Sequence, residues 1–170
     1  MSGDKIRNVL FLCTGNSARS VLSEAYLNAL PGGRFRAFSA GSQPAGRVNP
    51  FAIATLKAAG IPAEGYRSKS WDEFAAPGAP QMDIIITVCD NAAGEVCPIW
   101  PGHPSTAHWP YRDPAAAEGT DDEIRAVFED VFREIRARID AFAALPFDTL
   151  DDENLKARLR ALGETSEKAS

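Results

Sequence analysis

Cysteine is scarce in this chain: Cys13, Cys89 and Cys97 are the three such residues in 170. So small and odd a set excludes a disulfide-stapled scaffold. In a reducing compartment, cysteines of this kind more often serve catalysis, redox exchange or metal binding than structural bridging. Long apolar runs are missing as well. No stretch approaches the roughly 20 residues that span a bilayer, and Met1-Ser2-Gly3-Asp4-Lys5 lacks the apolar region of a signal peptide. A cytoplasmic location is therefore expected. The chain has no Lys/Arg-rich run and carries a net charge of -5, which argues against nucleic acid as a partner. It also has no internal repeat and no low-complexity segment.

What is present suits one α/β domain. With 45% hydrophobic residues in 170, the chain can bury a proper core. Asn8 to Leu12 is a short buried-strand pattern. Ala18, Val21, Leu22, Ala25 and Ala29 then fall on one helical face, ended by Pro31-Gly32-Gly33. Phe35 to Ala40 is a second strand, stopped by Gly41. Pro50 opens a helix that runs through Phe51 to Ala59 and ends at Gly60. Asp83 to Val88 is the strongest strand signal, β-branched almost throughout, as parallel strands covered on both faces are. A fourth strand is expected near Thr106 to Trp109. After it comes a long helix opening at Thr120-Asp121-Asp122-Glu123, with Ile124, Val127, Phe128, Val131, Ile135, Ile139 and Phe142 on one face. This alternation predicts a doubly wound, three-layer α/β/α fold: a parallel sheet of about four strands with helices on both faces. Residues 1–146 form that domain. Residues 147–170 form a tail in which Leu155, Leu159 and Leu162 have helical spacing, packed on the body or on a partner.

Between the first strand and its helix lies Cys13-Thr14-Gly15-Asn16-Ser17-Ala18-Arg19. A loop at this place directs backbone N–H groups at one point, and the helix N-terminus adds positive potential, so a tetrahedral oxyanion is favoured there. Gly15 lets the backbone bend, and Arg19 can make two parallel hydrogen bonds to such an anion. The same field should lower the Cys13 pKa well below about 8.5 and yield a thiolate nucleophile. Ser20 is placed to hydrogen-bond that sulfur.

The run Val9 to Ser20 resembles the active-site loop of the low-molecular-weight protein tyrosine phosphatases, and more closely that of the arsenate reductases sharing their fold. Ser39-Ala40-Gly41 is similar to that group as well. The similarity extends from about Arg7 to Ala144 and implies a flavodoxin-like strand order. Cys89 follows its strand as Cys13 follows its own, so parallel strands bring both to the carboxyl-end edge, where open α/β sheets bind ligands. Neighbouring strands lie about 4.8 Å apart, and a disulfide needs Cα atoms within roughly 7 Å. The small, polar segment Asp90 to Val96 suits a rearrangement that carries Cys89 between partners.

The resemblance implies arsenate reduction and a role in arsenical resistance. In that scheme Cys13 attacks arsenate, Cys89 attacks Cys13 and releases arsenite, and Cys97 draws the disulfide onward to thioredoxin or a glutathione/glutaredoxin system. Here seven residues separate Cys89 from Cys97, one more than in the thioredoxin-linked members, which leaves the reductant open. A tight pair of cysteines of the zinc-site kind is absent from the Cys89, Cys97, His103, His108 set.

Bond breaking at the anion calls for a proton donor. Asp113, before Pro114, is the candidate general acid in the resembled family, with Asp90 and Asp121 as weaker alternatives. Where the phosphatases carry aromatic residues that wall a phosphotyrosine slot, this chain has Ala115-Ala116-Ala117-Glu118-Gly119. Ala18 stands where they typically carry a second cysteine. Both differences favour a small inorganic anion over an aryl phosphate. Asn16, Glu24 and Ser39 match positions that bind a potassium ion in some relatives, although no additional aspartate stands near Ser68-Lys69-Ser70; Glu24 equally suits a solvated helix face. The expectation is a monomeric arsenate reductase needing no cofactor. The alternatives are a phosphatase acting through a Cys13 phosphocysteine and a non-enzymatic oxyanion-binding or redox-sensing module.

Overall fold

A computed structural model of the chain describes residues 6–88, 105–109, 111, 114, 117–147 and 149–169, without the side chains of 152 and 164–169. Four parallel strands, β1 (Arg7–Cys13), β2 (Phe35–Gly41), β3 (Ile84–Thr87) and β4 (Ser105–His108), form one sheet in the order β2-β1-β3-β4. This is the predicted flavodoxin-like arrangement. Among the described residues, five helices accompany it: α1 (Arg19–Ala29), α2 (Pro50–Ala58), α3 (Asp72–Ala75), α4 (Asp121–Ala143) and α5 (Asp152–Ala169). The one-turn α3 is too short to leave a periodic signal. None of the helices described is long and apolar enough to cross a membrane.

Side chains alternate across β1, and the alternation defines two layers. Val9, Phe11 and Cys13 join α1, α2, α4 and α5 in the larger core, whereas Leu10 and Leu12 pack with Ala40, Ile85, Met82, Trp71 and Phe74 on the opposite face. Phe11, Phe128, Phe132, Phe142 and Trp109 are all essentially inaccessible, and full burial of such a side chain contributes about 1.5–3 kcal/mol. Phe142 lies against Phe35, Phe147 and Trp109, with ring centroids 5.1–5.6 Å apart.

The ends of the elements follow local chemistry. Asn49 caps α2 by accepting the Phe51 N–H at 2.8 Å, with Pro50 as the first helical residue. Thr120 and Glu123 form a reciprocal capping box at α4. β3 is shorter than the expected Asp83–Val88, yet its ladder continues at both ends. The Asp83 N–H donates to Asn8 O and the Val88 N–H to Leu12 O, each at 2.9 Å.

The tail helix α5 packs on β4 and α4. Leu159 is fully buried, and its carbonyl accepts the Trp109 Nε1–H at 2.8 Å. That bond satisfies the indole in the core.

Candidate active site

β1 ends at Cys13, and residues 14–18 turn the chain into α1. The turn uses Asn16, whose φ of 48° lies in the left-handed region; asparagine tolerates that region better than most side chains. The outer carbonyls of the turn are anchored. Thr14 O accepts from Gln43 N at 2.9 Å, Gly15 O from Ala45 N at 2.9 Å and Ser68 Oγ at 3.1 Å, and Ser17 O from Asn49 N at 2.8 Å. In a trans peptide the carbonyl and the next N–H point in opposite directions. The N–H groups of Gly15, Asn16 and Ala18 are therefore turned away from those anchors. At α1, Ala18 occupies the N-cap without a side-chain cap, and the first turn holds no acidic residue. N–H groups on the side opposite those anchors and an uncapped helix start together favour an anion.

Gly41 is paired with Cys13 across the sheet. A Cβ there would sit 2.4 Å from Thr14 O and 2.9 Å from Cys13 O. Only glycine lets β2 approach the loop this closely. The Gly41 N–H donates to Lys69 O, and its own carbonyl accepts from Trp71 N, both at 2.9 Å, so the loop, β2 and the 67–71 segment are fastened at one residue.

Cys13 is 4% exposed and not part of a disulfide. Arg19 opens α1, and its Nη1 donates to the Tyr111 carbonyl at 3.0 Å. That bond holds one edge of the guanidinium while the side chain stays partly accessible.

Beneath the loop lies a buried polar network. Asn16 Nδ2 donates to Ser20 Oγ and to Ser39 Oγ, both at 2.9 Å, while Asn16 Oδ1 accepts the Lys69 backbone N–H at 2.8 Å. Ser39 Oγ in turn donates to Glu24 Oε1 at 2.6 Å. Glu24 is buried rather than solvated. Burial raises its pKa above the ordinary 4.5, against the lowering effects of the Ser39 bond and the Lys69 and Arg67 charges. Burial likewise lowers the Lys69 pKa, opposed first by the Glu24 charge, and the Lys69 ammonium donates to Arg67 O at 2.9 Å.

Cys13, the 14–18 loop, Arg19 and Ser20 lie at the β1–α1 junction, and the Ser20 hydroxyl, expected at the Cys13 sulfur, accepts from Asn16 Nδ2. Asp121 lies in the first turn of α4, exposed. Cys89, Cys97, Asp113, Asp90, His103, Ala115 and Ala116 lie outside the described residues. Val88, the residue before Cys89, bonds to Leu12, the residue before Cys13.

Three contributors had no sequence motif. Tyr111 acts through its carbonyl, Lys69 through its backbone N–H and its charge, and Ser68 through a hydroxyl that reaches back 53 residues to Gly15. The one available hint was a lysine within the otherwise small, polar Ser68-Lys69-Ser70.

Residues 8–158 match the family described as low molecular weight phosphotyrosine protein phosphatase. The arsenate reductase of Halalkalibacterium halodurans is 41% identical over 135 residues, covering 79% of this chain and 94% of its own. The arsenate reductase of Bacillus subtilis is 37% identical with the same coverage. A solved arsenate reductase in an oxidised state is 26% identical and superposes with a TM-score of 0.66, covering 82% of this chain and 98% of its own.

Proposed function

The chain belongs to the low-molecular-weight phosphotyrosine protein phosphatase family, among its arsenate reductases, and from that premise we propose that it reduces arsenate to arsenite through a thiol relay. The observation that carries the proposal is the pairing of β1 with β3. Leu12 stands opposite Thr87, and the Val88 N–H binds Leu12 O. The residues that precede Cys13 and Cys89 are thus hydrogen-bonded neighbours.

In this scheme arsenate sits on the loop N–H groups and on Arg19, whose guanidinium and the α1 terminus balance its charge. The Cys13 thiolate attacks arsenic and an arsenate oxygen leaves as water, with Asp113 as proton donor. The Cys89 thiolate then attacks the Cys13 sulfur. The electron pair of the S–As bond passes to arsenic, arsenite departs, and the two sulfurs are left as a disulfide. Cys97 attacks Cys89 and frees Cys13 as a thiolate. An external thiol reductant, either the dithiol of thioredoxin or two thiol equivalents from a glutathione/glutaredoxin system, reduces the resulting Cys89–Cys97 disulfide and is itself oxidised to a disulfide. Three thiols cycling through this relay require a reducing compartment, in keeping with a cytoplasmic location.

A potassium ion does not fit the Asn16, Glu24 and Ser39 set. The amide and hydroxyl of Asn16 and Ser39 are turned toward one another, and the buried Lys69 supplies a cationic charge beside Glu24. No step is routed through such an ion. Exchanging potassium for choline at constant ionic strength should leave Tm unchanged, and a drop in Tm would reverse this assignment.

The test of the relay is arsenate-dependent oxidation of a thiol reductant, compared between the wild type and Cys89→Ser. Multiple turnover should collapse in the variant, while single attack at Cys13 and any aryl-phosphate hydrolysis persist. Equal arsenate turnover in both proteins would sink the three-cysteine scheme. Vigorous aryl-phosphate hydrolysis without arsenate reduction would make the protein a phosphatase.

A further inference from the structure

Arg138 is a buried cation that the reaction above does not use. It lies on α4, is 5% exposed, and packs its guanidinium over the ring of Tyr111 at 4.7 Å and that of Trp109 at 5.9 Å. Its Nη2 donates to the carbonyl of Gly163 at 3.3 Å. An aliphatic side chain would fill this space at lower desolvation cost. What the guanidinium adds is direction, because its plane stacks on an aromatic face while its fork reaches a carbonyl.

Two guanidinium groups therefore meet at Tyr111. Arg138 stacks on its ring, and Arg19 donates to its carbonyl at 3.0 Å. On the far side, Gly163 fixes the distance of α5. A Cβ at Gly163 would lie 2.3 Å from His108 O and 3.1 Å from the Trp109 ring. A glycine inside a helix costs about 1 kcal/mol relative to alanine, and this one permits the close approach. Leu159 and Gly163, the two tail residues whose carbonyls receive Trp109 and Arg138, lie beyond residues 8–158 that match the family.

We propose that Arg138, held by the tail helix through Gly163, is a positioning residue for the oxyanion-binding Arg19, acting through Tyr111. The inference rests on the loop being an oxyanion site, as proposed above. The tail is then part of the machinery that aims the guanidinium as well as a cover for the edge of the sheet. Loosening α5 or removing the stacking plane lets Tyr111 shift, and the Arg19 fork loses its alignment with the anion. Misalignment of a bidentate donor weakens the anion complex and leaves the nucleophile itself intact.

The experiment uses the full-length reduced protein and orthophosphate as the probe. Alkylation of Cys13 by iodoacetamide is followed by mass spectrometry on its own peptide, with increasing phosphate as protectant. Arg138→Gln and Gly163→Ala should raise the phosphate concentration for half-protection about tenfold. The alkylation rate without phosphate should stay at the wild-type value. Leu56→Ala, a buried change on α2, should lower Tm and leave half-protection unchanged, which separates positioning from general loss of stability. Arg138→Lys keeps the charge but not the plane, and should behave like Arg138→Gln. If Arg138→Gln does not fold, Gly163→Ala decides, because it retains Arg138.

Wild-type half-protection in the folded Arg138 and Gly163 variants overturns the proposal. Absence of phosphate protection in the wild type overturns both this inference and the oxyanion site. Phosphate protection without arsenate turnover removes the reductase assignment alone and leaves the Arg138 effect standing.

Discussion

Glu24 and Lys69 show how a residue's surroundings set its chemistry. Both are buried beside the loop, and in each case burial is the largest influence on the pKa, raising the acid and lowering the base. A carboxyl with a raised folded pKa binds its proton more tightly when folded. Its contribution to stability is complete below the unfolded value and is lost as pH rises through the folded one. For Glu24 the window opens at its ordinary value of 4.5 and closes above the raised value. Glu24→Gln keeps an acceptor for the Ser39 hydroxyl and cannot ionise. Its Tm relative to wild type should therefore climb as pH rises from about 4 to about 8. A flat difference across that range in thermal melts would show that Glu24 ionises in the folded protein as easily as in the unfolded one.

At the scale of elements, the loop depends on its neighbours as much as on its own sequence. Gly15 and Asn16 make the turn possible, but its carbonyls are held by the segment after β2 and by Ser68. Gly41 is the tightest of these junctions, because the atoms facing its missing Cβ are backbone and cannot swing aside. Gly41→Ala should cost about 1–3 kcal/mol, measured by denaturant unfolding. It should also weaken phosphate protection of Cys13, since the displaced atoms are the Cys13 and Thr14 carbonyls. Unchanged stability and protection would mean that β2 can retreat without disturbing the loop.

For the whole molecule, the proposed anion site links binding to folding, because loop, sheet and helix form it only when assembled. Orthophosphate at a hundredfold its Kd should add about 2.7 kcal/mol, or roughly 5–10 °C in Tm for a domain of this size. Arg19→Ala should erase most of that shift, and an equal shift in the variant would exclude Arg19 from the anion site. Much of the molecule was legible in the chain before any fold was known. Local periodicity determined β1, α1, α2 and α4, because apolar spacing and capping residues such as Asn49 and Thr120 act over a few positions. The Cys13–Arg19 spacing likewise marked the proposed anion loop, since the thiol, the N–H groups and the guanidinium are all contiguous in sequence. Only the tertiary structure decided what those residues rest on. It set the burial of Glu24, the ammonium of Lys69 beside it, the Tyr111 carbonyl under Arg19, and the docking of α5 through Gly163. Each of these depends on atoms brought together from distant positions by packing. Neither periodicity nor motif encodes such a contact, because the partner is chosen by the geometry of the sheet and not by its neighbours in the chain.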